Sequence, residues 1–160
     1  DSGAFELDER WYGDVRLARY AMPVAPQITQ ESGARFGDHI ELVDYALSSE
    51  TVQRGDALQV RLDWRTDAPL TTRYKVFLQL LDANGTLAAQ RDSEPGGGLA
   101  LTTTWTPGET VSDAHALLLD VPPGTYTLIV GLYDLDDPNA RLPVGDGDYL
   151  TLATITVGDG

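Results

Sequence analysis

Leu58-Gln59-Val60-Arg61-Leu62-Asp63-Trp64-Arg65 is the stretch whose reading decides the fold class. Leu58, Val60, Leu62 and Trp64 fall on one side of an extended chain. Gln59, Arg61, Asp63 and Arg65 fall on the other, the period-two pattern of a strand with one dry face and one wet face. Outward from this run the same period returns. Tyr74, Val76, Leu78 and Leu80 share a face, with Phe77 and Leu81 opposite, which predicts a strand covered on both sides. Tyr126, Leu128, Val130 and Leu132 predict another inward face over Thr125 to Tyr133. His115, Leu117, Leu119 and Val121 predict a further strand, and Leu150 to Val157 the last.

Turn chemistry separates these runs. Asn84-Gly85 sits between Leu80-Leu81 and Leu87-Ala88-Ala89 and is the strongest hairpin signal. Gly55-Asp56 and Pro122-Pro123-Gly124 each precede a strand, and Gly96-Gly97-Gly98 lies in a long loop closed by Thr106-Pro107-Gly108. No segment keeps a helical period. Roughly seven or more short strands at this spacing predict an all-β, antiparallel β-sandwich, immunoglobulin-like or jelly-roll.

Two segments echo each other. Val15, Leu17, Ala18, Tyr20 and Met22 match Ile40, Leu42, Val43, Tyr45 and Leu47 at a constant offset of 25. In both, the apolar phase flips after the second residue, as it does where one extra residue enters a strand. Pro23 to Gly33 reads as a linker, so residues 1–36 are expected to be an upstream tail or an added edge strand, and 37–157 the sandwich.

The chain has 160 residues, which fits one domain with a core of its own. It has no cysteine, which excludes disulfides and thiolate metal sites. The net charge of −14 repels phosphate backbones and anionic bilayers, so nucleic acid is not expected as a partner. No apolar run approaches the roughly 20 residues that span a membrane. With Asp1-Ser2-Gly3 at its start, the chain reads as a piece of a longer protein whose upstream region would hold any anchor.

Catalytic signals are sparse. The two histidines, His39 and His115, lie on predicted strands beside apolar neighbours and read as structural. A Ser-His-Asp or histidine–metal site presents its groups beside partners, usually from loops. No G-x-S-x-G, H-E-x-x-H or phosphate loop occurs. The 25 acidic residues leave open a two-carboxylate glycosidase, but most fall in turns or on wet faces. Asp134, Asp136, Asp137 and Asn139 form the densest acidic loop and are candidate calcium ligands, although Asp and Asn before proline also simply make turns. Trp11, Tyr12, Trp105 and Tyr133 lie near strand ends or in loops, where a ring can stack on a sugar face; filling the core is the competing use, Trp105 plugging the sandwich's end. Gln79 and Gln90 are the candidate hydrogen-bonding partners of such a sugar.

Read in order, several runs look like one family. They are Phe36-Gly37-Asp38-His39-Ile40-Glu41-Leu42-Val43-Asp44-Tyr45-Ala46-Leu47, Tyr74-Lys75-Val76-Phe77-Leu78-Gln79-Leu80-Leu81-Asp82, Thr104-Trp105-Thr106-Pro107-Gly108-Glu109 and Val130-Gly131-Leu132-Tyr133-Asp134. Residues 36–157 resemble the C-terminal β-sandwich of bacterial multi-spanning membrane glycosyltransferases similar to the dolichyl-phosphate-mannose protein mannosyltransferases. That resemblance implies a non-catalytic accessory domain on the extracytoplasmic face. It would bind glycan or position an acceptor, or else dock on its own membrane half or on a partner. No position matches that family's catalytic acids.

Overall fold

Ala57–Thr66 (β6) buries every second residue along its whole length. Leu58, Leu62 and Trp64 are fully buried, and the Trp64 indole meets Phe36 edge-on at 5.1 Å between ring centroids. Each large apolar side chain so buried contributes about 1.5–3 kcal/mol. The computed structural model describes Phe5–Glu6, Tyr20–Ala21 and residues 28–159. Phe5–Glu6 (β1) and Tyr20–Ala21 (β2) form a separate antiparallel ladder. Trp11, Tyr12 and all of the upstream echo except Tyr20 lie outside the described residues.

Ile28–Phe36 (β3), Ile40–Leu47 (β4), β6 and Val111–Leu118 (β9) make one antiparallel sheet in the order β3-β4-β6-β9. The other sheet is built from Thr51–Gln53 (β5), Tyr74–Leu81 (β7), Leu87–Ser93 (β8), Gly124–Asp134 (β10) and Leu150–Gly158 (β12). Its order is β5-β12-β10-β7-β8, and Asp137–Arg141 (β11) folds back beside β10. One hydrophobic core lies between the sheets, filled by Leu42, Leu62, Trp64, Leu78, Leu128, Val130 and Ile155 among others.

The strand order selects between the two sandwich types. The chain runs along β4 beside β6, then changes sheets and continues as β5, which pairs in parallel with the last strand β12. With β6 beside β9 and β10 beside β7, this is the immunoglobulin-like order, with β8 as the extra edge strand. Tyr126, near the start of β10, donates its hydroxyl to the Pro122 carbonyl just upstream, the corner tyrosine of that fold.

The phase flip over Ile40 to Leu47 is a bulge. Leu42 pairs with Trp64 and Asp44 with Asp63, so Val43 is the extra residue and the inward face passes from Leu42 to Tyr45. The Asn84-Gly85 hairpin also forms, with Gly85 at φ 79° and Asp82 Oδ1 accepting the Asn84 and Thr86 amides. Three differences from the sequence reading stand out. β3 begins at Ile28, inside the Pro23 to Gly33 stretch read as a linker, because pairing with β4 extends a strand through its polar residues. β9 begins at Val111, four residues before the expected His115, because two of its inward positions, Asp113 and His115, are polar. β11 begins inside the 134–139 stretch read as an acidic turn and runs two residues beyond it.

Candidate functional site

The structure gathers Gln79, Gln90 and Tyr133 on the outer face of the five-strand path. Gln79 and Gln90 are register partners, and Tyr133 lies on β10. Tyr133 stacks on Phe77 and donates its hydroxyl to Asp92, and burial pushes its phenol up to about 12. With 9% of its surface exposed, the Tyr133 ring is committed to the protein. Trp105 is 6% exposed, belongs to the main core and donates its indole N–H to the Ala100 carbonyl. Neither ring offers a face for stacking.

The acidic loop serves its own backbone. Asp134 Oδ1 accepts the Asp136 amide, and Asp137 Oδ1 accepts the Asn139 amide. Among the described residues no group of three or more His, Cys, Asp or Glu side chains is placed to hold a metal. The calcium expectation for Asp134, Asp136, Asp137 and Asn139 therefore goes no further.

Both histidines are paired. His39 Nδ1 contacts Asp67 on the surface, and Arg35 on the other side holds the Asp67 carboxyl below the usual carboxylate range. His115 is buried with both ring nitrogens engaged. Nε2 meets Asp113 Oδ2 at 2.7 Å and Nδ1 receives the Arg91 Nε–H at 3.2 Å. Because arginine only donates, the imidazole hydrogen sits on Nε2. Trp64 Nε1 and the Gly96 amide also donate to Asp113. No lone pair is left on His115 to activate a nucleophile.

Asp44 and Asp63 are register partners across β4 and β6; Asp63 Oδ2 pairs with Arg61, while Asp44 Oδ1 is buried with no hydrogen-bond partner among the described residues. The neighbouring Asp63 carboxyl, with partial desolvation, raises Asp44 to about 6. Neither described cavity includes them. Since the folded pKa lies above the unfolded one, the pair favours folding below pH 4 and loses that contribution as pH rises to about 6. Asp44→Asn is expected to stabilise the domain by about 1 kcal/mol at pH 7.5, after allowance for solvent screening, and by nothing at pH 3.5. Thermal unfolding at the two pH values checks this.

Two cavities bordered by the described residues bear on a site. A crevice of about 210 Å³ lies between the β3–β4 turn and Leu142-Pro143, with Phe36, Tyr74 and His39 on its walls. A larger groove of about 470 Å³ follows the crossover from β4 to β5. Ligand sites generally measure about 300–1,000 Å³, so only the second is large enough. Ser48, Ser49, Thr51, Gln53, Asp56 and Gln59 supply its polar lining, and Val52 and Ala57 part of the rest. The Ser48 amide bonds to the Gln59 carbonyl and Ser48 Oγ accepts the Gln59 amide, which clamps one wall. Ser49 Oγ accepts the Thr51 amide and donates to its carbonyl, which fixes the turn between sheets. Sequence reasoning missed this site. Its only local signal was a small-polar run at Ser48-Ser49 and the Gly55-Asp56 turn, and the sheet change brings the two together.

No family model matches the chain, and no curated protein matches it. Among solved structures it is similar to the C-terminal domain of Wzt, with TM-score 0.49 and 14% identity over 83% of this chain and 78% of that one. It is also similar to the CARDB domain of the PF1109 protein from Pyrococcus furiosus, determined in complex with di-metal ions (TM-score 0.43, 14% identity, 78% and 96% covered). A Bacteroides uniformis β-glucuronidase gives TM-score 0.48 at 12% identity over 87% of this chain, which spans 16% of that enzyme. At such identities the likeness concerns the β-sandwich alone. Among the described residues no helix is long and apolar enough to cross a membrane.

Proposed function

We propose that this chain is a non-catalytic accessory domain that binds saccharide in the groove at the β4–β5 crossover. The observation that carries the reading is the lining itself. Three hydroxyls, two amides and one carboxylate converge on a space of about 470 Å³. These groups match the alternating donors and acceptors of a sugar. A glycosidase needs two carboxyl groups, and Asp56 is the single one in the groove. No aromatic ring lines it, so hydrogen bonds exchanged with water must supply the affinity.

The sequence resemblance supports a setting for this binding. A domain attached to a membrane glycosyltransferase on the extracytoplasmic side would hold the glycan or acceptor near the transferase. Calorimetric and NMR titrations with a panel of neutral oligosaccharides test the binding. At least one is expected to bind with a Kd of about 1 mM, near −4 kcal/mol. Shifts should centre on Ser48–Gln59, and Asp56→Ala should weaken binding about tenfold. Absence of heat and of shifts at about 10 mM for every sugar would overturn the reading.

A further inference from the structure

One carboxylate in the crossover groove has no cation beside it. Asp56 ends the turn that leads from β5 into β6, and its backbone is pinned there. Its amide donates to the Gln53 carbonyl and its carbonyl accepts the Leu119 amide. The Gly55 amide donates to the Leu119 carbonyl, so two bonds staple this turn to the chain beyond β9. Asp56 Oδ2 accepts one long contact, 3.4 Å from the Gln53 amide, and Oδ1 accepts nothing among the described residues. Among those residues no arginine, lysine or histidine lines the groove. Arg54 is next to it in the chain, but its Nε turns to Asp120 at 3.3 Å. Lys75, the one lysine, lies on β7. Glu50, between the lining residues Ser49 and Thr51, adds a second exposed carboxylate. The groove is therefore negative in a chain of net charge −14, and such a field gathers cationic ligands and repels anionic ones.

We infer that the saccharide taken by this groove carries a free amine, whose ammonium pairs with Asp56. The inference rests on the saccharide reading above and narrows it to amino sugars with an unacylated nitrogen. A hydroxyl gives the carboxylate one hydrogen to accept. An ammonium gives three donors, no competing acceptor and a full opposite charge. Acylating the nitrogen removes the charge and with it the ion pair. Uronic acids and sulfated sugars meet like charge and are excluded. Asp56 stays open to water, so the advantage of the amine is about fivefold in affinity at low salt.

Trisaccharides of glucose, glucosamine and N-acetylglucosamine that share one linkage differ only in the group beside the anomeric carbon. NMR titration of the whole chain with each, in low salt at about pH 5.5 where an amine keeps its proton, tests the inference. The glucosamine trisaccharide is expected to bind about fivefold more tightly than the other two, with shifts centred on Asp56. Raising salt to about 0.5 M should erase that advantage. Asp56→Asn keeps the shape of the side chain and should erase it too, and an unchanged spectrum away from the groove verifies the fold. Equal binding of the three sugars overturns the inference but leaves the saccharide reading in place. A preference that survives Asp56→Asn does the same. An equal response to trilysine also overturns it, because charge alone would then be read. Silence from these sugars and from the neutral panel overturns both readings.

Discussion

Asp113→Ala should remove about 4 kcal/mol of unfolding free energy, read as a fall in the urea midpoint at unchanged slope. The carboxylate is completely buried and accepts from Trp64 Nε1 at 3.2 Å, His115 Nε2 at 2.7 Å and the Gly96 amide at 2.7 Å. Alanine leaves three donors without their acceptor. Each orphaned group costs about 1–3 kcal/mol, and the losses overlap because the partners share one site. Arg91 also loses its neighbour's orientation, since the His115 ring is held by the same carboxylate. Asp113→Asn keeps the oxygen facing Gly96 but turns an N–H₂ toward two donors, so about half the loss should remain. A loss under about 1 kcal/mol for Asp113→Ala would mean that this network does not hold β9 to β6 and the 3-10 turn.

Gly131→Ala should cost about 3 kcal/mol, for a reason of space alone. Gly131 pairs with Phe77 across β10 and β7, and the Phe77 ring lies over it. A Cβ there would stand 2.2 Å from Phe77 Cζ and 3.1 Å from the Asp148 carbonyl oxygen. The ring has little room to swing, because Tyr133 stacks on it at 6.2 Å and the Arg141 guanidinium covers it at 4.3 Å. An aromatic residue laid over a strand glycine supplies the packing that the glycine lacks. Inserting a methyl there forces off-rotamer shifts, which cost roughly 1–3 kcal/mol and more where backbone is also met. Phe77→Leu alone should cost about 1–2 kcal/mol, and the double variant should be more stable than the sum predicts by at least 1 kcal/mol. Additive losses would show that ring and glycine are independent.

The fold was legible because burial on one face writes itself into alternation. Leu58, Val60, Leu62 and Trp64 read directly as an inward face. The phase flip after Leu42 marked a bulge, since a single extra residue is the only cheap way to exchange faces within a strand. β9 was read short because Asp113 and His115 point inward, and a buried polar pair looks like a wet face until its partners are seen. Trp105 sat in a loop by sequence yet packs in the core, because loops that cap a sandwich carry its plugs. The groove was illegible for a different reason. Its serines lie in the connection between β4 and β5, and Gln53 and Gln59 lie on two different strands, and no local pattern records that the chain will change sheets there.

That change of sheets also governs how the domain would respond to tension. β5 and β12 run side by side in the same direction, although nearly the whole sandwich lies between them in the chain. A pull applied upstream of β5 and downstream of β12 drags the two strands lengthwise past each other. Their ladder is then loaded in shear, with its bonds sharing the force, whereas an antiparallel hairpin pulled at its open end unzips one bond at a time. A mechanical clamp of this kind suits a module tethered at its ends.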